Sequence, residues 1–337
     1  MTVLTEQFPE LDNIVSIPIP FNEVPYLFTA NIYALGRGEI TLVDAGPGIP
    51  GAIEFVKDAF NSNDLQFRNI KRIILTHGHM DHFGLVPDIL GEIGHDVDIY
   101  LHPEDIWKVS TDFFSREVWL DELDWLRKLT DIPDNILVLM KKGISRYYSI
   151  ASPIDGLKPM EDGDEFSGDG YNLRVLYTPG HSPGLCCLYE TGKKVLFSSD
   201  HILKNLNPKP IMPLSRETLR DKNYKSLMAY ENSLKKVSSI DVRYLLPGHG
   251  EWIQDMNPII KRYIEHNAQR MELVWKAVRK RELPLYHLVN DVFSHAEKED
   301  LFIALSEIFS HLEVLVHQGR AEIIKQGPPV IYRALDS

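Results

Sequence analysis

The sequence predicts an α+β protein in which two β-sheets pack together between outer helices, with a helical insertion and a helical C-terminal unit. Three observations predict it. Short apolar runs bounded by turn residues recur on both sides of the insertion, as strands do. Stretches of helical spacing separate several of them, and two sheets between outer helices satisfy that order. After Gly250 the pattern turns helical until a last pair of short apolar runs.

Taken in order, residues 15–20, 29–35 and 39–43 read as strands, with Gly36 and Gly38 marking the turn between the last two. Ala45-Gly46-Pro47-Gly48 ends the third strand. Helical spacing over 53–60 leads to a buried strand at 72–75, a helix over 82–93 and a strand at 96–101. Residues 103–152 break the rhythm: Phe113, Phe114, Val118, Trp119, Leu123, Trp125 and Leu126 recur at helical spacing, Pro133 interrupts, and 137–148 resumes. Strands return at 173–177, 185–189, 194–198 and 244–246, with a helix over 217–237 before the last. Helices over 258–281, 285–293 and 298–318, then strands at 321–325 and 330–334, give a winged-helix-like order. The expected division is therefore 1–256, including the insertion, and 257–337, as a length of 337 residues suggests.

Composition excludes several classes. A net charge of −12 disfavours general affinity for a phosphate backbone. The two cysteines, Cys186 and Cys187, are adjacent in an apolar run and read as buried strand residues, which fits a reducing compartment. The N-terminus has acidic residues and no apolar run, so no signal peptide is read there. No stretch approaches the roughly 18 apolar residues of a membrane span, and the expected location is cytoplasmic.

The chemistry concentrates in Thr76-His77-Gly78-His79-Met80-Asp81-His82-Phe83-Gly84. The segment follows a predicted strand, so it reads as a loop at a strand's C-terminal edge entering a helix. Zinc-type divalent ions take imidazole nitrogens and carboxylate oxygens. His77 and His79 alternate around Gly78 and can point the same way, while Asp81 and His82 can serve a second ion. Gly78 and Gly84 allow tight turns. Three distant segments each place one more ligand just past a strand: His181 in Thr178-Pro179-Gly180-His181, Asp200 in Ser198-Ser199-Asp200, and His249 in Leu246-Pro247-Gly248-His249. Open α/β-type sheets collect ligands at such edges. A single Gly-His turn is weak evidence; three such segments after the His cluster are strong.

His-x-His-x-Asp-His, a Gly-His turn, a strand-ending Asp and a second Gly-His turn resemble the metallo-β-lactamase superfamily over roughly residues 13–255. Within it the chain is most similar to the glyoxalase II-like and LACTB2-like hydrolases, whose C-terminal region is helical and winged-helix-like. The resemblance implies a four-layer αββα sandwich. It implies that His77, His79 and His181 hold one metal, that Asp81, His82 and His249 hold a second, and that Asp200 bridges them. Asp44, ending a strand, matches an early Asp that orients the His loop. The cofactors implied are two divalent ions, zinc first, with iron or manganese as alternatives.

The mechanism implied is hydrolysis by a water that the two ions share and acidify, with Asp81 or Asp200 taking its proton. His201, directly after Asp200, is a candidate to contact substrate or protonate the leaving group; a packed histidine is the bland reading. His95, His102, His266, His287, His295, His311 and His317 read as structural or surface residues. Penicillin-cleaving relatives usually carry Cys where Asp200 stands, and flavodiiron relatives Glu where His79 stands, so both activities are disfavoured. The leading expectation is hydrolysis of a thioester or other activated carbonyl ester of a small molecule. Lactonase, phosphodiesterase or nuclease, and non-catalytic metal-binding effector are the alternatives. The aromatic insertion reads either as a lid over the site, with Tyr147 and Tyr148 as candidate lining residues, or as padding of the sandwich or a homodimer contact, and the C-terminal unit as a packing or substrate-channel element rather than a nucleic-acid reader.

Overall fold

A computed structural model describes residues 11–23, 27–115, 118–213, 219–293 and 301–335. The first sheet begins with β1 (Ile14–Pro20), β2 (Thr29–Leu35) and β3 (Ile40–Val43). Helix α1 (Ala52–Ser62) leads to β4 (Ile70–Ile74), the short helix α2 (Met80–Phe83), α3 (Val86–Ile93) and β5 (Asp98–Leu101). Two-residue β6 (Lys158–Pro159) completes a six-stranded sheet in sequential order. Its first three strands pair antiparallel and the rest parallel.

Between β5 and β6 lies the insertion: α4 (Pro103–Ile106), α5 (Thr111–Ser115), α6 (Val118–Thr130) and α7 (Asp134–Tyr148). The second sheet holds β7 (Glu165–Gly168), β8 (Tyr171–Tyr177), β9 (Cys186–Glu190), β10 (Val195–Ser199) and, after α8 (Ser226–Ser238), β11 (Tyr244–Pro247), in the order β11-β10-β9-β8-β7. Only β10 and β11 pair parallel in it. The chain ends with α9 (Asn257–Lys280), α10 (Leu285–Val292), α11 (Leu301–His317) and the hairpin β12 (Ala321–Lys325) and β13 (Ile331–Ala334).

Strand periodicity explains the four layers. Side chains alternate across a strand, and here the alternation sorts residues into separate cores. Ala30, Ile32 and Ala34 of β2 join Val56, Phe60, Val86 and Ile89 of α1 and α3 in one outer core. Tyr33 and Leu35 of β2 face the other way and meet Leu188, Phe197 and Leu246 of the second sheet. The alternate residues Cys187, Leu196 and Leu245 pack against Tyr230, Leu234 and Val237 of α8. Helix, sheet, sheet, helix is the αββα sandwich expected. Cys186 and Cys187 are free and buried on opposite faces of β9.

Several boundaries differ from expectation. The helix expected over 82–93 is two helices, because Gly84 and Leu85 turn the chain between α2 and α3. The helix expected from residue 217 begins at Ser226; residues 219–225 are not helical, and 217–218 lie outside the described residues. His295 and the expected start of the helix at 298 lie there too. Strands β6 and β7 had no sequence signal: β6 is two exposed residues, one of them a proline, and β7 carries polar residues at a sheet edge. Three helices and a hairpin do follow residue 256, and α9, α10 and α11 share one hydrophobic core with α5, α6 and α7 of the insertion.

Candidate metal centre

The parallel pairs β3–β4 and β10–β11 put the C-terminal ends of these strands at one edge of the sandwich. Asp44 follows β3, His77 and His79 follow β4, Asp200 follows β10 and His249 follows β11. His181 sits in the β8–β9 turn, and β8 runs in the same direction as β10. Hydrogen bonds lock the two sheets together at this edge. Asn31 Nδ2 and Tyr33 Oη both donate to the Pro247 carbonyl, at 2.9 and 2.7 Å. The Cys186 amide donates to the Thr76 carbonyl at 2.9 Å.

All seven expected ligands converge in two adjoining groups. His77, His79, His181 and Asp200 offer ligand atoms within 4.8 Å of one another, and so do Asp81, His82 and His249. His79 Nδ1 lies 3.0 Å from both His77 Nε2 and His181 Nε2. Asp200 spans the groups: its Oδ2 is 3.4 Å from His181 Nε2, while its Oδ1 is 3.3 Å from His249 Nε2 and 3.4 Å from His82 Nε2. Asp81 Oδ2 lies 3.3 Å from His249 Nε2. The second group is buried throughout, whereas His79 and His181 are partly exposed, so solvent reaches the first.

The donor set fits divalent cations. Atoms bound about 2.0–2.1 Å from one tetrahedral ion stand roughly 3.3 Å apart, close to these separations. His82 Nε2, His249 Nε2 and Asp200 Oδ1 are buried without a hydrogen-bond partner, a costly arrangement unless something else satisfies them. His181 Nδ1 faces the Lys209 carbonyl at 3.1 Å and His249 Nδ1 the Thr29 carbonyl at 2.6 Å. A carbonyl only accepts, so in the neutral rings both Nε2 lone pairs turn toward the centre.

The protonation pattern follows the same geometry. Burial pulls the pKa of His79 down to about 3, with the His181 ring adding to the shift. Burial also lowers His77 well below the ordinary value, assisted by His82 and His79. His249 goes the other way: burial opposes, but Asp200 and Asp81 lift it to about 10. His82 is likewise raised, by Asp200, Asp44 and Asp81 against burial.

Supporting residues hold the ligands. Asp44 Oδ1 accepts from the Thr76 amide at 2.7 Å, and its Oδ2 lies 2.9 Å from His82 Nδ1, which turns His82 Nε2 inward. Asp44 and Ser199 both have left-handed backbones, with φ of 59° and 46°, a strain tolerated where surrounding contacts fix it. Gly248 is needed for a different reason: a Cβ there would lie 2.6 Å from Asp200 Oδ1 and 2.9 Å from His82 Cε1.

Three supports gave no sequence signal as such. Asp105, in α4 and fully buried, accepts from the Gly78 amide at 2.9 Å and Ser182 Oγ at 2.8 Å through Oδ2, and from the Gly184 amide at 3.1 Å through Oδ1. One carboxylate thus staples the His77–His79 loop to the His181 turn. Tyr147 of α7 donates from its hydroxyl to Asp81 Oδ1 at 2.8 Å; burial and Asp81 raise its pKa well above the ordinary value, so it stays a donor. Sequence spacing had marked Tyr147 only as a lining residue. The third support is the Lys209 carbonyl.

His201 corrects the expectation made for it. Its side chain belongs to neither ligand group, is 0 % exposed and packs edge-on against Tyr230 at 5.1 Å between ring centroids. Burial pulls its pKa down to about 3. Both ring nitrogens are buried, and the ring is sealed under α8 rather than turned into the ligand groups. Of the other histidines, His102 stacks on Tyr177 and His311 is buried in α11.

Fold and centre together define a metal-dependent hydrolase. The family model described as the metallo-beta-lactamase superfamily matches residues 25–249. The chain belongs to the metallo-beta-lactamase superfamily. It is 23% identical over 332 residues to a probable metallo-hydrolase, YqjP, of Bacillus subtilis, covering 96% of this chain and 98% of that one. It is 25% identical over 321 residues to the Beta-lactamase-like protein 2 homolog of Caenorhabditis elegans, covering 94% and 89%. Among solved structures, a metallo-beta-lactamase family protein from Thermus thermophilus, TTHA1429, superposes with a TM-score of 0.77 at 25% identity, covering 97% of this chain and 100% of that one. Among the described residues no helix is long and apolar enough to cross a membrane.

Proposed function

We propose that the protein hydrolyses a thioester or another activated carbonyl ester of a small molecule, using two divalent ions, with zinc the first candidate. His77, His79 and His181 would hold one ion, Asp81, His82 and His249 the other, with Asp200 between them. The observation that carries this reading is the Asp200 carboxylate, whose two oxygens face the two ligand groups separately. Bound there, the ions supply an acidified water and a Lewis acid for the carbonyl oxygen.

The chain's own residues do the rest. In the metal-free protein the neighbouring imidazoles hold the Asp81 and Asp200 carboxyls below the ordinary range against burial. Either can take the proton released as water attacks. Tyr147 fixes Asp81 by occupying its other oxygen. Asp44 and the Thr29 and Lys209 carbonyls set the ring orientations. Support for an acyl substrate comes from apolar surface near the centre. Phe28, 73 % exposed, adjoins Thr29, whose carbonyl holds His249. Tyr147 is continuous with Tyr148 and Phe114 of the insertion, all three partly exposed. Such a lining suits an acyl chain or aromatic group.

The test is a panel of acyl-thioesters, lactones and bis-p-nitrophenyl phosphate, assayed on protein loaded with zinc, manganese or iron, beside elemental analysis. Turnover of thioesters or activated esters with two ions per chain is expected. Turnover of the phosphodiester alone would reject the acyl reading. Full metal occupancy without turnover of any substrate would favour a binding role.

A further inference from the structure

Helices α9 and α11 lie beyond the ligand set, yet they grip a loop that reaches back to it. Residues 203–209 form an irregular segment between β10 and α8. Its sequence runs into Asn207-Pro208-Lys209-Pro210. Two prolines bias Asn207 and Lys209 to extended backbone, so the Lys209 carbonyl has little freedom once the loop is anchored. That carbonyl is the partner of His181 Nδ1 at 3.1 Å.

The anchors are almost all from one face of α9. Tyr263 Oη donates to the Leu206 carbonyl at 2.9 Å and accepts from the Leu203 amide at 2.9 Å. Arg262 donates to the Lys204 carbonyl at 2.9 Å. Beside Arg262, the residues Tyr263, His266 and Arg270 are spaced three and four apart, as a shared helix face requires. The last two converge on Glu307 of α11, which is 2 % exposed. Arg270 Nε and Lys209 Nζ each lie 2.9 Å from a Glu307 oxygen, and His266 Nε2 lies 3.2 Å away. Burial alone would raise the Glu307 pKa; His266, Lys209 and Arg270 outweigh it and hold the carboxyl well below the usual range.

We infer that Glu307, through its ion pair with Lys209, positions the carbonyl that orients His181, so that the C-terminal helices form part of the first metal site. Glu307 is a positioning residue, since it touches no ligand itself. Neutralising it leaves Arg270 and Lys209 as poorly compensated charges, which is strongly unfavourable in a buried setting. Lys209 then turns to solvent, and the carbonyl leaves His181. The second group, Asp81, His82 and His249, has no link to this loop among its hydrogen bonds: His249 is held by Thr29 and His82 by Asp44. The effect is therefore selective for one ion of the two.

This assignment rests on the metal-centre reading above, and the experiment separates the two. Full-length wild type, Glu307→Gln, Lys209→Met and Leu312→Ala are loaded with zinc, dialysed against graded chelator and analysed for bound metal. Leu312 is fully buried in the C-terminal core, in a hydrophobic cluster that includes none of residues 203–209, so it reports general destabilisation. Wild type should hold two ions. Glu307→Gln and Lys209→Met should lose one at about 10- to 100-fold lower chelator concentration, as changes to the groups orienting a ligand do. Leu312→Ala should melt at lower temperature yet keep both ions. If Glu307→Gln does not fold, Lys209→Met decides alone, because Lys209 is 27 % exposed at its side chain. Wild type without stoichiometric metal would defeat the metal-centre reading itself. Wild type with two ions, and variants that keep both or lose both together, would overturn the role of Glu307 alone. Equal loss of one ion in Leu312→Ala would overturn it too.

Discussion

Replacing Asp105 with Asn tests how the two loops of the first ligand group are held in register. The carboxylate accepts three hydrogen bonds, two at Oδ2 and one at Oδ1, and is itself fully buried. An amide keeps one acceptor oxygen. The favourable orientation leaves it at the Gly78 and Ser182 side, and the NH2 then faces the Gly184 N–H. The side chain has no room to turn away: a Cβ on Gly184 would lie 2.7 Å from Asp105 Cγ, which measures how closely that backbone approaches. One charge-assisted bond is lost and a buried donor is stranded, each worth about 1.5–3 and 1–3 kcal/mol. The two overlap, so a destabilisation of about 3 kcal/mol is expected, a large part of the ~5–15 kcal/mol that holds a folded protein. Denaturant titration of the metal-loaded and chelated proteins, with elemental analysis after chelator dialysis, measures both consequences. Beyond the stability loss, metal retention should fall about 10- to 100-fold, since the loop carrying His77 and His79 is no longer tied to the turn carrying His181. An Asn variant with wild-type midpoint and wild-type metal retention would refute the stapling role.

In metal-free protein His249, lifted to about 10, carries a proton at about pH 8, and His82 is raised in the same direction, whereas a ligating imidazole is neutral. Metal binding should therefore release protons, read by calorimetry in buffers of different ionisation enthalpy, and affinity should rise with pH; release of none would contradict the assigned pairing. The sign for stability runs opposite: a raised folded pKa stabilises below the ordinary value of 6.5 and the contribution fades as pH climbs through about 10, so chelated protein should weaken over that window. Gly84→Ala would bring a Cβ to 2.3 Å from the Ile150 carbonyl and 2.6 Å from that of Met80, and should cost about 3 kcal/mol in denaturant titration. Gly91→Ala, which meets nothing within 4 Å inside α3, should instead gain about 0.5–1 kcal/mol; equal effects would remove the steric argument.

The seven converging side chains and most strands were legible because their signals are local. A strand announces itself by alternation within a few residues, and His77, His79, Asp81 and His82 share one short segment. His181, Asp200 and His249 each follow a strand, and strands in one sandwich end at shared edges. Tyr147 was legible only as a candidate lining residue, without its bond to Asp81. Sequence spacing misplaced His201, since adjacency to Asp200 says nothing about which side of the chain a ring faces. Strands β6 and β7 escaped for want of an apolar pattern.

The layer order and the chemistry available at the sheet edge are readable along the chain, because periodicity and ligand type are properties of neighbouring residues. What steadies that chemistry arises from folding. Asp105 lies 77 residues from Ser182, and Glu307 meets Lys209 across nearly a hundred positions. Their carboxylates look in sequence like any surface acid. Burial against particular backbone amides and cations gives each its role, and burial is fixed by packing between distant segments rather than by any short pattern.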